Sequence, residues 1–371
     1  MGRLALELRR IAIPFRAPFR HAAAERHATD SVWVEARTPD GAGYGEACPR
    51  PYVTGEDLGT VKGFFHRHHA ELTAVIAGVD DVIAWGDAHR AEIDRNPAAW
   101  CAVEMALLDA LARERQVSIE ALLGLSAARG TFRYSAVVGA GDGATFRATV
   151  DRYRARGFSD FKLKLSGDAG QDRENLTWLQ QGAVGAWRLR LDANNLWRTV
   201  GEAARYLDAV ACPVFALEEP LRPGRYAALA RLGAAQDTRI ILDESCVRAE
   251  QLDEVDGHPG RWIVNVRVSK MGGILRSLGV VEAARRRGLP IIVGAQVGET
   301  SLLTRAALTV AAQARDLLLA QEGAFGTLLL TADVCEEPLM FGAAGRLELP
   351  DPSAPGLGIA VGPDRSFLEV F

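Results

Sequence analysis

The sequence predicts an α/β protein: a parallel barrel of alternating strands and helices, preceded by a smaller α+β unit. Two observations carry this. From about residue 132 onward, short apolar runs recur at nearly regular spacing, with amphipathic stretches between them. Before that point, strand-like alternation comes first and helical periodicity follows, the signature of an α+β unit.

In the first unit, residues 3–15 and 32–37 alternate apolar and polar side chains. Asp40-Gly41 marks a hairpin turn, with 43–47 as the returning strand. From about 57 to 125 the spacing becomes helical, most clearly in PAAWCAVEMALLDALARERQ. The run His66, His68, His69 falls on such a helix beside Arg67 and reads as a solvated face.

The second unit offers eight strand candidates: FRYSAVVG, FKLKL, RLRLDAN, VFALEEP, IILDES, WIVNVRVSK, PIIVGAQ and DLLLAQEG. GEAARYLDAVA and LRSLGVVEAARRRG are typical of the helices between them. Eight such units predict closure into a barrel. A doubly wound open sheet is the alternative, but no GxGxxG follows an early strand. From about 342 the chain is rich in Gly and Pro and is expected to return onto the first unit.

Composition narrows the function. The 371 residues are 48% hydrophobic and carry a formal net charge of −4, so no basic excess points to nucleic acid or an anionic membrane. No long uncharged apolar run predicts a membrane span or a signal peptide. The five cysteines are scattered without a CxxC pair, which fits a reducing cytoplasm.

The informative residues lie at the strand ends. In a parallel barrel those ends share one rim, where ligands bind. Strand two carries Lys162 and Lys164, strand three Asp192 and Asn194, strand four Glu218 and Glu219, strand five Asp243 and Glu244, and strand six Lys270. Lys162 and Lys164 are two apart, so they face the same way, and two ammonium groups inside a barrel need anions opposite them. A single acid at a strand end is ordinarily a helix cap. Five successive ends bearing cation, acid, acid, acid and cation are not explained by capping. Three adjacent carboxylates call for a divalent ion, and oxygen-only ligation favours Mg²⁺ or Mn²⁺.

KLK at 162–164, LDAN at 191–194, EEP at 218–220, DES at 243–245, SKMGG at 269–273 and GYGEACP at 43–49 resemble the enolase superfamily. Within it they are similar to the muconate-lactonizing-enzyme (mandelate racemase/muconate lactonizing enzyme) subgroup, over nearly the whole chain. The resemblance implies a (β/α)7β modified TIM barrel at 129–341. It also implies an N-terminal α+β capping domain at 1–128, completed by 342–371. It implies Asp192, Glu218 and Asp243 as Mg²⁺ ligands, Lys164 and Lys270 as acid/bases on opposite faces, and Lys162 as a holder of the substrate carboxylate. Asn194 and Glu219 match supporting positions. A homo-oligomer acting on a small-molecule carboxylate is expected.

The shared step of that superfamily is removal of a proton α to a carboxylate, giving an enediolate whose charge a metal stabilises. A lysine on each face permits proton delivery from either side, so racemisation or epimerisation leads. Cycloisomerisation and dehydration (o-succinylbenzoate-synthase-like) share the first step. A mandelate-racemase type of site would need a late barrel histidine, and no histidine follows His258. Substrate contacts are expected from the lid at 16–30, with Arg20, His21, Glu25, Arg26 and His27, and from Gln296, Glu299, Thr300 and Gln321. Thr300 and Ser301 also read as a helix cap. Where dipeptide epimerases carry Asp-x-Asp on the eighth strand, this chain has Gln321 and Gly323, which counts against dipeptides. A Schiff-base lysine aldolase has no use for three acids, and a non-catalytic binding protein has no need of the full set.

Overall fold

The computed structural model describes residues 4–21, 24–39, 41–141, 143–182, 187–255, 258–362 and 364–371. Five strands come first: β1 (Ala5–Ile11), β2 (Pro14–His21), β3 (Ala24–Ala28), β4 (Ser31–Thr38) and β5 (Gly41–Ala47). β1, β4 and β5 form one antiparallel sheet, and β2 and β3 form a separate hairpin. Asp40 of the expected turn lies outside the described residues. The strands it joins pair in register from Val32 opposite Ala47 to Thr38 opposite Gly41.

Helices α1 (Leu58–Val75), α2 (Val79–Ala88), α3 (Arg90–Ile93), α4 (Pro97–Glu114) and α5 (Ile119–Leu122) follow. α4 is buried along nearly its whole length because it lies directly on β5. Gly43 and Gly45, on one face of that strand, make the approach possible. A Cβ there would come within 2.1 Å of Ala110 N and 1.9 Å of Ala102 O. The expected solvated histidine face is mixed. His66 is exposed, His69 Nε2 lies 3.1 Å from the Leu6 carbonyl oxygen, and His68 packs against the Phe64 and Trp85 rings.

After β6 (Phe132–Arg133) comes the barrel: β7 (Ala136–Val138), β8 (Asp160–Lys164), β9 (Arg188–Asp192), β10 (Ala216–Glu218), β11 (Arg239–Leu242), β12 (Trp262–Val266), β13 (Ile291–Val293) and β14 (Leu318–Gln321). β7 to β14 form one parallel sheet in strict sequence order, without the reversal a doubly wound sheet requires. Its two ends meet at a parallel bridge between Tyr134 and Gln321, where Ser135 N–H donates to Gln321 O at 2.8 Å.

Helices α6 (Gly143–Ala155), α7 (Ala169–Gln181), α8 (Val200–Val210) and α9 (Tyr226–Ala235) make the first four crossovers. α10 (Val268–Met271) and α11 (Ile274–Arg286) follow β12, and α12 (Ser301–Gln313) follows β13. The fifth crossover departs from the alternation: it holds a 3₁₀ turn, Ala249–Glu254, rather than an α-helix. Leu252 is its buried apolar residue, and Val255, in extended conformation, ends it. After β14 the only helical pieces among the described residues are short 3₁₀ turns. β15 (Arg346–Leu347) then pairs with β6, and β16 (Leu368–Val370) joins β1 in the first sheet.

One level of the barrel interior is apolar, made by Ala216, Ile241, Ile263, Ile292 and Ala320. Two-residue alternation puts charged side chains on the next level toward the strand ends. Among the described residues no helix is long and apolar enough to cross a membrane.

Candidate active site

The strand alternation delivers both lysines of KLK to the interior, where Lys162 is 2% and Lys164 8% exposed. Lys162 Nζ lies 2.7 Å from Glu218 Oε1, 2.9 Å from Glu322 Oε2 and 3.2 Å from Asp192 Oδ2. Lys164 Nζ donates to Asp192 Oδ2 at 2.8 Å and to Asn194 Oδ1 at 2.9 Å. The parallel register sets Lys164 beside Asp192, and Asp192 beside Glu218. Asp243 follows β11 directly, one strand further round. Beyond it, Lys270 sits on the single turn of α10. Its Nζ donates to Asp243 Oδ1 at 2.9 Å and to the carbonyl oxygens of Asp243 and Asn265, both at 2.7 Å.

The interior charges balance through shared partners. Burial works against the ammonium of Lys162, but Asp192, Glu218 and Glu322 outweigh it and hold its pKa above that of an ordinary lysine. Burial likewise opposes ionisation of Asp192, and Lys162 and Lys164 reverse it, keeping that carboxyl below the usual range. Asp243 is held low in the same way by Arg267 and Lys270. For Glu218 burial wins, and its pKa is pushed up to about 7. Glu219 is also raised to about 7 by burial. Its carboxylate accepts from the Asp243 and Ser245 amides at 2.8 and 3.0 Å and from the Ser245 hydroxyl at 2.5 Å. Glu219 therefore ties the end of β10 to the turn after β11.

Among the described residues only His68, Glu71 and His89 bring one ligand atom each within 4.8 Å of the others. The three barrel acids stand wider, with Lys162 and Arg267 between them. Arg267 Nη2 pairs with Asp243 Oδ2 and lies 3.3 Å from Glu218 Oε1. Glu218 Oε2 is buried and has no hydrogen-bond partner. Three buried carboxylates on adjoining strands, one with an oxygen lacking any donor, form a donor set that fits a hard divalent cation.

A cavity opens above this layer. Lys162, Lys164, Asn194, Glu244, Arg267, Gln296 and Glu322 line it, with Phe19 and Tyr52 contributed by the first unit. Lys270 lies outside that lining, 1% exposed behind its three acceptors. Several expected substrate contacts fall elsewhere. Gln321 is not among the lining residues, because alternation along β14 turns Ala320 and Glu322 inward and Gln321 outward. Thr300 caps α12 and donates to Glu46 Oε2 at 2.6 Å, and Glu299 accepts from the Gln296 amide at 2.5 Å. Ser301 Oγ accepts from the Leu339 amide at 2.8 Å. In the lid, Arg26 pairs with Asp30 and His27 with Glu25. The side chains of Arg20 and His21 lie outside the described residues.

Four polar residues of the site were not anticipated: Arg190, Asn265, Arg267 and Glu322. Arg190 Nη1 pairs with Glu322 Oε1 at 2.5 Å, and Asn265 Nδ2 donates to Glu218 Oε1 at 3.1 Å. The signal for three of them was present. Arg190 is two residues before Asp192, and Asn265 is two before Arg267, the same spacing that singled out the lysines.

Comparison with known proteins agrees with this architecture. The mandelate racemase/muconate lactonizing enzyme N-terminal domain matches residues 5–124, and the enolase C-terminal domain-like family matches residues 145–365. L-Ala-D/L-Glu epimerase of Bacillus subtilis (strain 168) is 28% identical over 364 residues, covering 96% of each chain. N-succinylamino acid racemase of an Amycolatopsis species is 28% identical over 362 residues, covering 97% of this chain and 95% of that one. The crystal structure of a dipeptide epimerase from Methylococcus capsulatus, complexed with Mg and L-Arg-D-Lys, superposes with a TM-score of 0.79 at 27% identity. It covers 96% of this chain and 99% of that one. With both halves matched, the chain belongs to the mandelate racemase/muconate lactonizing enzyme family of the enolase superfamily, and is an enzyme of its racemase, epimerase and cycloisomerase kind.

Proposed function

We propose that the protein removes the proton α to a substrate carboxylate and returns one to the same carbon, racemising or epimerising an amino-acid derivative. One observation carries this reading: Lys164 and Lys270 contact the two outer members of the acid trio, Asp192 and Asp243, from β8 and from the turn after β12. Half the circuit of strands separates them, so a planar intermediate between them has one amine on each face. In this reading Asp192, Glu218 and Asp243 hold Mg²⁺, for which Mn²⁺ substitutes. When bound, the ion stabilises the negative charge that builds on the substrate carboxylate. Lys162 and Arg267 add fixed positive charge beside the same oxygens. Asn194 orients the Lys164 amine, Glu219 fixes the turn that carries Asp243, and the Phe19 and Tyr52 side of the cavity excludes water.

The eighth strand favours a substrate whose α-nitrogen is acylated, as in the N-succinylamino acid racemase, over a dipeptide with a free ammonium. Both oxygens of Glu322 are engaged by Lys162 and Arg190, and Gly323 offers no side chain. Cycloisomerisation or dehydration at the same site would begin with the same proton removal and yield a different product.

NMR in D₂O with Mg²⁺ and a panel of N-acylamino acids and dipeptides tests the proposal. Exchange of the α-proton with inversion is expected, abolished by EDTA and restored by Mg²⁺. No metal-dependent exchange across the panel defeats it. We further propose that residues 1–128 with 342–371 cap a catalytic unit at 129–341, and that the enzyme works in the cytoplasm, as its five free cysteines permit. The homo-oligomer expected from the family is checked by light scattering.

A further inference from the structure

A second cluster of ligating side chains lies outside the barrel. His68 and Glu71 are one turn apart on α1 and share a face, and His89 closes α2. Glu71 Oε2 is 3.9 Å from His68 Nδ1 and 3.6 Å from His89 Nε2. The arrangement is fixed from behind. His89 Nδ1 lies 3.0 Å from the Trp85 carbonyl oxygen, which can only accept, so Nδ1 carries a proton and the ring is held with Nε2 facing Glu71. The Trp85 ring stacks on His89 at 3.9 Å and 12°, and meets His68 edge-on at 5.3 Å. His68 Nε2 is buried without a hydrogen-bond partner, with Glu92 Oε1 3.9 Å away.

The geometry points to a zinc site, with His68 Nδ1, His89 Nε2 and one Glu71 oxygen as ligands and water in the fourth position. Two histidines and a glutamate are a known zinc donor set, and bonds of about 2.0–2.1 Å place ligand atoms about 3.3 Å apart. Small side-chain rotations close the observed gaps to that spacing. The histidine whose second nitrogen donates to a backbone carbonyl is the usual outer-shell pattern of such sites. Zinc here would join α1 to the junction of α2 and α3. This inference is independent of the barrel reading.

The test uses the full chain with Mg²⁺ in excess. Calorimetric titration with Zn²⁺ is expected to show one equivalent binding at micromolar concentration or tighter. Co²⁺ is expected to give the strong visible absorption of a four-coordinate site and to quench tryptophan emission through Trp85. E71Q, at a half-exposed side chain, is expected to weaken Zn²⁺ by roughly tenfold or more without changing turnover, H89Q is expected to do the same, and D243N is expected to keep the site. Binding that E71Q does not weaken, binding lost only in D243N, or no binding below millimolar Zn²⁺ overturns the assignment. Either of the last two would mark the cluster as an ordinary histidine–glutamate ion pair.

Discussion

Lys162 is the residue on which the interior charges converge, and its three carboxylate partners set the consequences of changing any of them. Glu322→Gln removes the anion shared by Lys162 and Arg190 and leaves two buried cations short of a partner. It is expected to destabilise the fold by about 3–5 kcal/mol in urea unfolding. A loss below about 1 kcal/mol would mean that Glu322 is not needed for that balance. Lys164→Ala and Lys270→Ala are each expected to lower turnover by about 10²–10⁴-fold with the fold intact by circular dichroism. Should one variant still exchange the α-proton of a single enantiomer, the two-faced arrangement is confirmed, and full activity in both would end it. At this scale the sequence was most legible where spacing carried meaning, as in KLK. It was least legible where one buried acid followed an outward residue, as Glu322 follows Gln321. A misjudged register of one residue there exchanges the inward and outward faces of the strand.

Among the elements, three buried glutamates each meet the amino end of a helix contributed by another part of the chain. Glu56 accepts from Ala98 and Ala99 at 2.8 and 3.0 Å, Glu46 from Thr300 at 3.0 Å, and Glu104 from Leu275 at 3.1 Å. The last two pin the first unit to α12 and α11. SKMGG serves the same junction. Gly272 ends the lysine-bearing turn in a left-handed conformation, φ 88°, and at Gly273, φ 102°, a Cβ would sit 2.4 Å from Glu104 Oε1. Gly273→Ala is therefore expected to cost about 2 kcal/mol or more in stability, and to reduce turnover as Lys270 shifts. Unchanged denaturation and kinetics would show that the turn adapts freely. The sequence exposes the elements through their periodicity, and GYGEACP and SKMGG through their resemblance. It did not expose that their glycines make room for α4 and Glu104, since close approach between distant segments leaves no local pattern.

For the whole molecule, the buried glutamates predict how stability follows pH. Burial raises Glu46 and Glu56 to about 7, and Glu104 and Glu299 to about 8, above the ordinary value of 4.5. Between about pH 4.5 and 8 the folded state thus keeps protons that the unfolded chain has released. Stability from these groups falls as pH rises through that window and levels off above it. The urea midpoint of the metal-free protein is expected to be lower at about pH 9 than at about pH 6, and Glu56→Gln to flatten the difference. A midpoint that rises with pH would contradict the assignment. The barrel was foreseeable from eight recurring runs, whereas the missing fifth helix was hidden by the regularity of its neighbours.

The bridge between Tyr134 and Gln321 gives this cylinder a seam. Neighbouring staves elsewhere share at least three paired positions, while here a lone rung, backed by the reach of Arg190 to both Ser135 and Glu322, fastens the circle. Breathing should start there, with the Ser135 amide trading its hydrogen for solvent deuterium ahead of those in the opposite wall.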